Sequence, residues 1–113
     1  MARFAHVIAV AAVLFGAGAA EAITVMGAGA SSCGAWTQSR QSHLDGVPVS
    51  WVLGYLSGIN VYGGTTADLL KGLDRNAIES WIDNYCQTHP LDHIGVAVDL
   101  LLAELLKKHT GAH

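Results

Sequence analysis

Cys33 and Cys86 offer the most chemistry in this chain. With 52 residues between them they form no CxxC pair, so a structural disulfide is expected rather than a redox centre. Cys86 and His89 would act as a thiolate–imidazole pair only if Cys86 stayed reduced. His89, Asp92 and His93 gather two imidazoles and a carboxylate, donor types that suit zinc. Pro90, however, breaks the helical geometry that would aim both imidazoles at one ion, and no further His or Cys lies at zinc spacing. The cluster reads instead as a surface helix start, with Asp92 favouring its positive end. Ser50, Ser57 and Ser80 fall inside helical patterns, without the strand–turn–helix of a nucleophile elbow. Gly63-Gly64 is too short to cradle a phosphate. No catalytic, cofactor-binding or metal site is expected, and the chain reads as a non-enzyme.

The redox state of the cysteines depends on compartment, which the first 22 residues address. Arg3 gives a basic start, Val7 to Ala20 is apolar, and Ala20-Glu21-Ala22 supplies the small residues a signal peptidase requires. The apolar run of 14 residues is shorter than the roughly 20 a spanning helix needs. Cleavage after Ala22 is expected to place residues 23–113 outside the cytosol, where Cys33 and Cys86 can oxidise. The bond would close a loop of about 54 residues, worth on the order of 4 kcal/mol by chain entropy. That is a large share of stability for a domain this small.

Removing Arg3 and Glu21 with the leader leaves five Lys/Arg and eight Asp/Glu, net −3 with neutral histidines. No basic stripe exists, so nucleic acid is not an expected partner. No second long apolar run follows the leader, so the mature chain is not expected to insert into a membrane.

The elements follow from caps and periodicity. Residues 23–32 are small and Gly-rich and read as a flexible N-terminus. Ser31 and Ser32 are candidate N-caps for a helix over Cys33 to Ser42, on which Cys33, Trp36 and Arg40 share a face. Pro48 suits the first turn of a second helix, 48–62, which is apolar nearly all round and so expected to be largely buried. Gly54 and Gly58 on it suggest close approach of another helix. Gly63-Gly64 ends it, and Thr66 could cap a turn at 67–71 that Gly72 stops. Asp74 caps a third helix, 75–88, with Ile78, Trp81, Ile82, Tyr85 and Cys86 at amphipathic spacing. A fourth runs from Leu91 to Lys108, with Leu91, Ile94, Val98, Leu101, Leu102 and Leu105 on its buried face and Lys107, Lys108 and His109 at its negative end. The expected fold is all-α: a small bundle of about four helices with one disulfide, spanning 33–109, followed by a tail at 110–113.

Every aromatic after the leader is Trp or Tyr, residues with an apolar body and a polar handle that favour binding surfaces. Trp51, Tyr55, Leu56, Ile59 and Tyr62 on the second helix are the expected protein-contact surface.

Cys33-x-x-Trp36, the Gly-Tyr-x-x-Gly between Trp51 and Tyr62, Trp81 with Tyr85-Cys86, and His89-Pro90 together resemble the HdeA/HdeB family. Those are small helical periplasmic proteins with one disulfide, which hold unfolded clients under acid stress without ATP. The resemblance covers roughly residues 33–105. The same skeleton is similar to periplasmic immunity proteins that neutralise peptidoglycan amidases delivered by type VI secretion. The resemblance implies protein clients, or one protein partner such as a secreted hydrolase, and is compatible with a homodimer. Below about pH 3 the eight carboxylates neutralise and five histidines charge, moving net charge from −3 toward +10.

Overall fold

Ser32 opens the first helix, α1 (Cys33–Gln41): its Oγ accepts the Ala35 N–H at 3.1 Å, leaving one fewer orphan donor at the helix start. The structure, a computed structural model, describes residues 23–110. The leader expected over 1–22 and the last three residues of the tail lie outside the described residues. His43 closes α1 in the left-handed region at φ 58°, where the Leu44 N–H reaches Ser39 O at 3.0 Å. Glycine usually fills that position, because a Cβ there is strained. The second helix, α2 (Gly46–Tyr62), starts two residues earlier than expected and holds Pro48 in its first turn. It stops at Gly63, whose Cβ would lie 2.4 Å from Ile59 O.

Asp74 caps α3 (Arg75–Thr88), accepting the Ala77 N–H at 2.8 Å. The last helix, α4 (Ile94–His109), begins three residues later than the periodicity suggested. Residues 90–93 pair with the start of α1 instead of coiling: Gly34 N–H donates to Pro90 O at 2.9 Å and Cys33 N–H to Asp92 O at 2.7 Å. Leu91, expected on the buried face, is therefore 92% exposed. Lys107, Lys108 and His109 do lie in the last turn of α4.

Among the described residues, the fold is an all-α bundle of four helices stapled by the Cys33–Cys86 disulfide, with the two Cα atoms 4.8 Å apart. The staple ties the first residue of α1 to the last turns of α3, and both cysteines are buried. Around it the core collects Trp36, Val52, Leu56, Ile82, Val98 and Leu101, one stripe from each helix. Leu69, from the loop between α2 and α3, plugs the same core. No helix forms at 67–71; side chains hold that loop in turns, with Asn60 Oδ1 accepting the Leu69 N–H at 2.7 Å. Thr65 caps it rather than Thr66, accepting the Ala67 N–H at 3.1 Å.

Two expectations need correction. Within the stretch expected to be flexible, Gly27–Ala30 form a 3-10 turn packed on α2 and α4, with Gly29 buried. The second concerns α2, which is buried on one side only. Val49, Val52 and Leu56 face the core, whereas a Cβ at Gly54 or Gly58 would meet nothing within 4 Å. Those glycines lie on an open face, not at a close helix crossing. Among the described residues, no helix is long and apolar enough to cross a membrane.

Candidate functional site

Three features stand out on the folded chain. The first is an ion cluster between α1 and α3. Arg40 points to α3 from the face it shares with Cys33 and Trp36. Its guanidinium grips Asp83 with two hydrogen bonds, at 2.9 and 2.8 Å, and reaches Asp45 at 2.8 Å and Glu79 at 2.9 Å. Trp36 Nε1–H donates to Asp83 at 2.7 Å, and Arg75 pairs with Glu79 at 3.0 Å. Glu79 is nearly fully buried, a position a carboxylate tolerates only when its charge is answered. Burial pushes the Asp83 carboxyl up, but the Arg40 and Trp36 hydrogen bonds together hold it below the usual range. The Arg40 hydrogen bond holds Asp45 low as well. Thr37, His43 and Gln87 join this cluster around an open cleft of about 340 Å³.

The second feature joins the 3-10 turn, α2 and α4. Trp51 stacks on Tyr55, centroids 5.2 Å apart, and its Nε1–H donates to Met26 O at 2.9 Å. The turn fits because Gly29 has no side chain: a Cβ there would come within 2.2 Å of the indole ring. Gly95 gives the same clearance on α4, where a Cβ would lie 3.3 Å from Gly29 O. Tyr55 OH donates to Asp99 at 2.7 Å, a bond that raises the phenol pKa. Beside this pair is a cleft of about 330 Å³, lined by Ile23, Val25, Tyr55, His93, Val96 and Asp99.

The third is the outer face of α2. No charged residue occurs from Gly46 to Tyr62, and Val47 (76%), Val61 (67%) and Tyr62 (87%) are exposed beside the two bare glycines.

The structure divides the five residues expected as a contact surface. Trp51 and Tyr55 form one half-buried unit, Tyr62 stands exposed, and Ile59 is half-buried. Leu56 is 1% exposed and belongs to the core, so it cannot contribute to that surface in this fold. Val47 and Val61 replace it. Their 14-residue spacing along one helix face was readable from the sequence, but the expectation of all-round burial hid it.

The His89, Asp92 and His93 group does not converge. His89 stacks on Tyr85 at 4.0 Å, extending a ladder that begins at Trp81, 5.9 Å from Tyr85. Asp92 accepts a hydrogen bond from Tyr85 OH and lies outside α4, so it does not serve the helix dipole as expected. His93 occupies the N-cap position of α4 without a side-chain cap bond, and bridges to Ser32 through the backbone. Among the described residues no three His, Cys, Asp or Glu side chains could hold a metal ion together. The chain matches no protein-family model, no curated protein and no solved structure.

Proposed function

We propose that this chain is an exported, periplasmic HdeA/HdeB-like protein that binds non-native proteins without ATP under envelope or acid stress. The observation that carries this reading is the open, charge-free outer face of α2, with Val47, Val61 and Tyr62 presented to solvent. Apolar surface free of charge can take many partners, since association there needs no matched ion pairs. The disulfide is consistent with the same reading, because it keeps α1 tethered to α3 when the ion cluster between them loosens.

Acid would enlarge the binding surface through the ion cluster. Asp83 and Asp45 titrate lower in the folded chain than when unfolded. Their contribution is thus complete above the unfolded value near about pH 4 and lost as pH falls through the folded one. Once they are protonated, Arg40 and Arg75 face each other and Glu79 without full compensation, and α1 loosens from α3 within the limit set by the disulfide.

Light scattering of an aggregating client at pH 2–3 and at pH 7 tests the reading. Wild type is expected to suppress aggregation, and Val47→Lys/Val61→Lys, charged at both pH values, to lose most of the suppression with its helical circular dichroism intact. Absence of suppression by the wild type at both pH values would refute client binding. Recovery of one stoichiometric envelope protein in a pull-down would replace it with the inhibitor reading.

A further inference from the structure

The cleft between the 3-10 turn, α2 and α4 contains a carboxylate without a cation. Asp99 accepts the Tyr55 hydroxyl on Oδ1, and none of the four ion pairs among the described residues uses Asp99. The other titratable groups lining the cleft are Tyr55, which is neutral at ordinary pH, and His93. Its remaining walls, from Val25, Gly29, Gly95 and Val96, are apolar or bare backbone. An apolar-walled cleft with one carboxylate at its rim is suited to an ammonium group.

The chain can make such a group itself. Ile23 lines this same cleft, and the leader pattern puts signal cleavage at the bond before it. Before cleavage the Ile23 nitrogen is a neutral amide. Hydrolysis of the Ala22–Ile23 bond adds water across it, leaving a carboxylate on Ala22 and a protonated amine on Ile23. We propose that this cleft is an ammonium site filled in cis by the α-ammonium of Ile23, which pairs with Asp99 after the leader is removed. The pairing locks residues 23–32 onto α2 and α4. The segment is already positioned by the Met26 O bond to Trp51, by Gly29 under the indole ring, and by the Ile94 N–H bond to Ser31 O at 2.9 Å. Only its first residues lack a polar anchor. Export then matters to the fold as well as to location: the precursor lacks this charge and the mature protein has it.

The inference rests on the export reading, and N-terminal sequencing of processed protein tests that part separately. A chain that keeps its leader overturns both, whereas cleavage at another bond overturns the pairing alone. With Ile23 confirmed, the α-amino group is titrated by NMR in the full mature chain. A free α-amine titrates at about 7.7–8.0. The pairing raises it by about 0.5–1 unit, and Asp99→Asn returns it to the ordinary range. Nα-acetylation leaves Asp99 untouched and removes only the charge, so it keeps the test valid if Asp99→Asn folds poorly. The acetylated protein is expected to melt about 2–5 °C lower than the free one. An ordinary titration together with no melting difference overturns the pairing. Methylammonium is then added to both forms. Shifts of the Gly29 and Gly95 amides confined to the acetylated form support occupation in cis. Equal shifts in both forms would assign the site to an external amine and overturn it.

Discussion

The two halves of the bundle are joined by different chemistry. Between α1 and α3 the joint is ionic: one guanidinium answers three carboxylates beside a disulfide. Between the 3-10 turn, α2 and α4 the joint is aromatic and steric, with Trp51 over Gly29 and a phenol on a carboxylate. Opposite pH extremes should therefore open them. Acid weakens the ionic joint, as derived from Asp83 and Asp45. The Tyr55 phenol instead titrates higher when folded, so its contribution is complete below the unfolded value near about pH 10 and lost as pH rises through the folded one. A chain built this way can loosen one joint and keep the other, which is what the proposed client binding in acid would require.

The most severe way to break the contrast is to remove the staple. Cys33→Ser/Cys86→Ser is expected to lose up to about 4 kcal/mol in urea denaturation, and to make the ionic half the first to melt at any pH. Next, Gly29→Ala puts a methyl into the Trp51 ring and should cost about 1–3 kcal/mol, with the loss confined to the aromatic half. Native-state hydrogen exchange reads that confinement: α2 amides lose protection while those of α1 keep it. Arg40→Met should cost about 1–2 kcal/mol, below the range for fully buried pairs because Arg40 remains 30% exposed. It should also flatten the stability profile below about pH 4, since Asp83 would no longer be held low; an unchanged slope would dissociate the cluster from acid response. The smallest effect is a gain. His43→Gly relieves the left-handed Cβ and should add about 0.5 kcal/mol, net of the greater unfolded entropy of glycine.

How much of this was legible in the sequence differs between the halves. Local signals carried the caps at Ser32 and Asp74, the end at Gly63 and the common face of Cys33, Trp36 and Arg40, because each depends on residues within one or two turns. The partners of Arg40 were not legible: Asp45, Glu79 and Asp83 lie five to 43 positions away and meet only when α1 docks on α3. Residues 90–93 misled because Leu91 continues the apolar spacing of α4, while the N–H groups of Cys33 and Gly34 compete for the backbone there. Gly29 looked like one more residue of a loose leader-proximal stretch. Its requirement comes from Trp51, 22 positions away, and only the packed indole reveals it. On α2, composition suggested burial all round, but a small bundle has too few helices to cover every side of one.

The three indole nitrogens report on three different seams. Trp36 bonds to Asp83, Trp51 to Met26 and Trp81 to Glu104, so no two share an acceptor. Single-tryptophan variants, with the other two replaced by phenylalanine, would turn each ring into a fluorescent gauge of one boundary. Emission colour during an acid jump would then give the sequence in which those boundaries admit water, without attaching any dye.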